Sequence, residues 1–153
     1  LHSVIDNAKL PEASDWLSPE IDETFDFDTP AEIMQALIES GTHWATETLT
    51  ILQKRSPLML HVSLRQIRQG RHMSLADELR LERTLVQHCF YTHHLGRTGV
   101  ESETVEGIRA LAVDKDHSPV WNPARIEDVT PAMVEPFFES PWGANDHPLK
   151  DLI

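Results

Sequence analysis

The sequence contains a single cysteine, Cys89, so no intramolecular disulfide can form. That fits a reducing compartment. Basic residues are scarce: 13 Lys and Arg stand against 25 Asp and Glu, a net charge of -12. The acidic balance argues against nucleic acid as a partner, because phosphates demand a basic footprint. No run of about 18 apolar residues occurs, so no membrane-spanning helix is encoded. The first residues lack the basic and apolar zones of a signal peptide. Glycine is sparse, and the GRTG run at residues 96–99 lacks the Gly-Lys-Ser/Thr that completes a phosphate loop. There is no stretch of alternating β-branched residues and no internal repeat. The expectation is a chain built of helices alone.

What is present suits one domain: 153 residues, 40% of them apolar. The chain begins at Leu1 rather than Met, which leads us to expect a processed, proteolysed or excised piece of a longer polypeptide. Charge is uneven along it: -10 over residues 1–53, +5 over 54–99 and -7 over 100–153. The middle segment would welcome a polyanion, although a basic helix pair docked on acidic neighbours explains it more simply. Residues 1–24, punctuated by Pro11 and Pro19, read as irregular or weakly helical, and 1–29 as a linker ahead of a helical region over 30–153. Asp22, Asp26, Asp28 and Glu32 lack the spacing of a calcium loop and read as a solvated acidic stretch.

Caps and breakers mark the helices. Thr29 and Glu32 form a capping box, Pro30 takes the first helical position and Gly41 ends a helix over 30–40. Ile33, Met34, Leu37 and Ile38 make its buried stripe. Residues 42–54 form the next helix, with Trp44, Ala45, Leu49 and Leu52 inward. Trp44 has the shape to stack on an adenine, but an aromatic at helical spacing reads first as core. Ser56-Pro57 opens a third helix with Leu60, Leu64 and Ile67 inward, and Gly70 closes it. His61 lies on its apolar side, where a hydrogen-bonded structural histidine is the plainer reading than a catalytic one. Ser74 and Asp77 start a long helix to Tyr91, with Leu75, Leu79, Val86 and Phe90 inward. His88, His93 and His94 gather near Cys89, but their positions scatter round the helix, so no metal site is expected. Thr130-Pro131 caps a last short helix carrying Met133, Val134, Phe137 and Phe138, and the tail beyond Trp142 is expected to order where Leu149 finds a pocket.

Residues 102–121, SETVEGIRALAVDKDHSPVW, carry the most information. Ser102 is a cap, followed by acids that suit a helix N-terminus. Val105, Ile108, Leu111 and Ala112 recur at helical spacing and predict one apolar face. Gly107 inside this helix costs about 1 kcal/mol relative to Ala, which suggests that another backbone or a ligand packs close. Lys115 stands between Asp114 and Asp116. It is either a helix-end charge tied up by those acids or an anion contact. Arg109 suits a bidentate partner such as Glu106.

EGIRALAVDKDHSPVWNP resembles the C-terminal signature of the 3-hydroxyisobutyryl-CoA hydrolases, a branch of the crotonase (enoyl-CoA hydratase/isomerase) superfamily. The likeness extends upstream through Trp44-Ala45, Ser56-Pro57 and SLRQIRQG, and downstream through VWNPARIEDVT to His147-Pro148-Leu149. It implies a fold that is all-α in this chain, the C-terminal helical region of a crotonase-like ββα-spiral α/β protein. The family's β-rich part, with its oxyanion hole and catalytic carboxylate, has no counterpart in these residues, so no catalytic residue is assigned. The resemblance implies a thioester hydrolase of valine breakdown acting on an acyl-CoA substrate, with CoA as part of the substrate and no separate cofactor. A hydratase or isomerase of the same superfamily, or a non-catalytic helical assembly module, are the alternatives. The implied partners are an upstream crotonase core and, through the C-terminal helices, other copies of the chain. The implied setting is a mitochondrial matrix or bacterial cytoplasm. Lys115 occupies the place of a family lysine near the nucleotide end of CoA.

Overall fold

Short polar caps set several helix starts, and at Pro30 and Pro57 a proline follows the cap. The computed structural model describes residues 19–143 and 145–152. Among them no strand occurs. α1 is Pro19–Phe25, α2 Pro30–Ser40, α3 His43–Leu52, α4 Pro57–Gly70 and α5 Leu75–Phe90. α6, Glu103–Ile108, continues into a π-helical turn, Arg109–Val113. α7 is Pro131–Val134 and runs into a 3-10 turn, Glu135–Phe138. α1 lies inside the segment expected to be a linker: residues 19–25 are helical, and residues 1–18 lie outside the described residues.

The capping box at Thr29 and Glu32 forms as expected, and Gly41 closes α2 at φ 60°. A glycine suits that left-handed position because a Cβ would crowd the backbone. Thr42, Ser56, Ser74 and Ser102 each accept a backbone N–H three residues on. Thr130 precedes α7 without making such a bond.

α4 is the spine between two apolar clusters. Leu58 and Val62 meet Leu81 and Leu85 of α5 and Val134 and Phe137 of the α7 region. Leu64, on another side of α4, packs on the smaller cluster of Ile33, Leu37 and Ala45, where Trp44 also lies. Trp44 and Phe25 meet tilted, ring centroids 6.3 Å apart. Full burial of each large side chain contributes about 1.5–3 kcal/mol.

Several inward faces differ from expectation. Leu58 and Val62, rather than Leu60 and Ile67, are the buried side of α4, and Ile67 is exposed. On α5, Leu75, Leu79, Val86 and Phe90 are exposed while Leu81, Thr84 and Leu85 are buried. Ile38 on α2 points outward too. These helices carry more apolar surface than the chain itself covers.

The tail is held by α5. Arg80 donates to the carbonyls of Leu149, Lys150 and Leu152. His147 is buried and accepts the Leu149 N–H at Nδ1, 3.0 Å. Its Nε2 therefore carries the proton and donates to the Arg80 carbonyl, 3.3 Å. His147, more than the expected Leu149, is the buried anchor.

Candidate functional site

The site is assembled by α6, its π turn and the chain that follows. Ser102 caps α6 as expected, but the predicted apolar face is not covered: Ile108, Leu111 and Ala112 are exposed and Ala110 is buried. The helix widens at Arg109–Val113, where Asp114 N–H reaches back five residues to the Arg109 carbonyl, 2.8 Å. Such π turns occur often at functional positions.

Arg109 organises the turn beyond. Its Nε and Nη2 grip both carboxylate oxygens of Glu106, 2.9 and 2.8 Å, the bidentate pairing expected. Its Nη1 also binds Asp114 at 2.6 Å and Asp116 at 2.7 Å, and Nη2 donates to the Ser118 carbonyl. Glu106 accepts the Val120 N–H as well. The Glu106 carboxyl is lowered to about 2, first by Arg109 and next by that amide. Asp116 is lowered by Arg109 and then by the Ser118 N–H, and the Arg109 guanidinium is raised by the carboxylates, Glu106 foremost.

The acids beside Lys115 thus belong to Arg109. The Lys115 side chain is exposed and makes no ion pair or hydrogen bond with any described residue. Lys115 and His117 both sit at positive φ, 57° and 54°, where a side chain costs on the order of 1–2 kcal/mol. A turn strained at two positions persists only because its surroundings fix it.

A buried polar node ties this turn to the rest. Glu103 is 7% exposed. It accepts the Ser56 hydroxyl and, at 3.0 Å, the Asn122 N–H. Arg97 lies 3.7 Å from Glu103 and donates to the Asn122 carbonyl at 2.6 Å. Sequence reasoning missed this node. It read Ser56 only as a cap and GRTG at 96–99 only as an incomplete phosphate loop, and a pair 47 residues apart leaves no periodic signal.

Trp121 completes the wall. Its Nε1 donates to the Lys54 carbonyl, 3.1 Å, and its six-membered ring packs on Gly107. Within the chain the close neighbour at Gly107 is therefore the Trp121 side chain rather than another backbone. Between them opens a cleft of about 850 Å³, lined among others by Lys54, Arg55, Leu111, His117 and Trp121. Its walls are mainly apolar and its rim carries cations, a combination suited to an anionic ligand with an apolar arm. Lys115 is two residues from His117 and outside the lining.

His61, His88 and His94 stand apart from this cleft. His61 bonds the Ile126 backbone, while its Nε2 is buried without a partner, and desolvation lowers its basicity. It lines a second cleft of about 670 Å³ with Arg65 and Arg68. His94 meets Phe137 edge-on at 4.6 Å and His88 at 5.4 Å. Among the described residues no three His, Cys, Asp or Glu side chains converge as metal ligands.

A model for the enoyl-CoA hydratase/isomerase family matches residues 2–138. The chain belongs to the enoyl-CoA hydratase/isomerase family. Its similar proteins include the mitochondrial 3-hydroxyisobutyryl-CoA hydrolase of Gallus gallus, 38% identical over 82% of this chain and 30% of that protein. 3-Hydroxyisobutyryl-CoA hydrolase 1 of Arabidopsis thaliana is 39% identical over 78% of this chain and 31% of that protein. The chain thus spans about 30% of the length of these relatives. Its structure aligns with a carnitinyl-CoA dehydratase from Mycobacterium thermoresistibile at a TM-score of 0.69 and 32% identity, covering 90% of this chain and 38% of that one. The enoyl-CoA hydratase/isomerase chain therefore has crotonase-like helical structure in the part described. No helix among the described residues is long and apolar enough to cross a membrane.

Proposed function

We propose that this chain is the C-terminal helical part of a 3-hydroxyisobutyryl-CoA hydrolase-like thioesterase of valine catabolism. In this reading it packs on an upstream, sheet-bearing catalytic core and helps form the CoA site. The observation that supports the packing is the uncovered apolar surface of α6 and its π turn, where Ile108 is 47%, Leu111 66% and Val113 69% exposed. Contiguous apolar exposure of this kind marks a surface made for a partner. The identity shared with the hydrolases favours that chemistry. The carnitinyl-CoA dehydratase likeness favours a hydratase-type reaction as the second reading.

Thioester hydrolysis requires N–H donors aimed at a developing oxyanion and a carboxylate or equivalent base. No residue here is assigned either task. The chain's share is binding: Lys115, and the cleft rimmed by Lys54, Arg55 and His117, would hold the phosphates of CoA while its pantetheine arm leaves toward the core. A matrix or bacterial-cytoplasm setting goes with that reading, as does self-association through the helical region. The test is 3-hydroxyisobutyryl-CoA hydrolysis by this chain alone and together with a crotonase core. Turnover only with the core supports the reading, and turnover by the chain alone overturns it.

A further inference from the structure

We infer that Arg109 is a positioning residue that presents Lys115 to an anionic ligand by taking both neighbouring acids away from it. The inference rests on the reading that Lys115 contacts the phosphates of CoA. Asp114 and Asp116 are Lys115's immediate neighbours in sequence. Left free, two carboxylates beside one ammonium would neutralise it and repel a phosphate. Instead both are drawn to one nitrogen of Arg109, at 2.6 and 2.7 Å. The lysine side chain is left exposed and unpaired among the described residues.

The same grip sets the backbone. Arg109 also holds the Ser118 carbonyl, Asp116 accepts the Ser118 N–H at 2.8 Å, and His117 N–H returns to the Ala110 carbonyl at 3.1 Å. These bonds close the turn on both sides of Lys115 and hold it at positive φ. Four acceptors on one side chain demand a planar fork with several donors. Lysine, with a compact ammonium, cannot span them. Arg109→Lys therefore keeps the charge and loses the geometry.

The test titrates CoA, and separately pantetheine, into the full-length protein and its variants by calorimetry. Lys115→Ala is expected to weaken CoA roughly 5-fold at low salt, as for a solvent-exposed charge contact, and to leave pantetheine unchanged. Arg109→Lys should weaken CoA to a similar degree, and the double variant should bind like Lys115→Ala alone, because Arg109 acts only through the lysine. Glu106→Ala, which unseats the guanidinium while leaving Asp114 and Asp116 charged, should fall between. It also keeps the test open should Arg109→Lys fold poorly. If Lys115→Ala leaves CoA affinity unchanged, the CoA contact itself fails and the inference falls with it. If Lys115→Ala weakens CoA while Arg109→Lys and Glu106→Ala bind normally, or if the Arg109 and Lys115 effects add, the positioning role alone is overturned. Loss of pantetheine binding in Arg109→Lys would likewise assign Arg109 a general structural role.

Discussion

A Cβ placed on Gly107 would stand 3.4 Å from Cη2 of Trp121 and 3.8 Å from Cζ3. Those are contact distances, not overlaps of any depth. Gly107→Ala should therefore be accepted and stabilise α6 by about 0.5–1 kcal/mol through helix propensity. Gly107→Leu has no such room and should lift the indole, breaking its bond to Lys54. Urea denaturation checks the first outcome, and the change in tryptophan emission checks the second.

Leu58 is fully buried and Ile67 is 62% exposed, although both lie on α4. Leu58→Ala should cost about 2–5 kcal/mol, while Ile67→Ala should stay within about 0.5 kcal/mol for this chain by itself. Equal losses in urea midpoints would mean that the covered side of α4 has been assigned wrongly.

His94 carries a pH-dependent term. Burial first, then His88 and Arg97, lower its basicity below the ordinary 6.5. The unfolded chain takes up its proton near pH 6.5 while the folded chain resists. Stability from this source is thus complete above about pH 6.5 and declines as pH falls toward the lower folded value. His61 acts in the same direction. The depressed carboxyl of Glu106 acts elsewhere: its contribution is present above about 4.5 and is lost as pH falls through about 2. Melting temperatures at pH 7.5 and 5.5 should therefore differ in the native chain and differ less in His94→Phe.

Removing the Glu103 carboxylate would leave the Ser56 hydroxyl and Asn122 N–H short of an acceptor and the largely buried Arg97 without a counter-charge. Glu103→Ala should cost about 3 kcal/mol, and Glu103→Gln less, because one acceptor remains. Amide exchange at Asn122 should speed up in the alanine variant. Unchanged protection there would show that the node does not hold this turn.

Where the helices begin was legible, because Thr29, Thr42, Ser56, Ser74 and Ser102 act on neighbours three residues away. Which side of each helix is buried was less so. Periodicity finds an apolar stripe, but α5 carries two, one through Leu81 and Leu85 and one through Leu75, Leu79, Val86 and Phe90. Nothing local says which the chain covers. The Arg109–Glu106 pairing followed from helical spacing. Its reach to Asp114 and Asp116 did not, because a π turn and two left-handed residues bring those acids back. The Ser56–Glu103 bond joins distant segments and lay outside any pattern of spacing.

Arg80 grips the end of the chain by carbonyl oxygens, and His147 binds the Leu149 N–H. Any amino acid offers such a carbonyl, so this clasp holds a path of backbone and is blind to most of the side chains along it. Replacements at Asp151 should pass unnoticed, whereas Arg80→Ala should free residues 149–152 from α5.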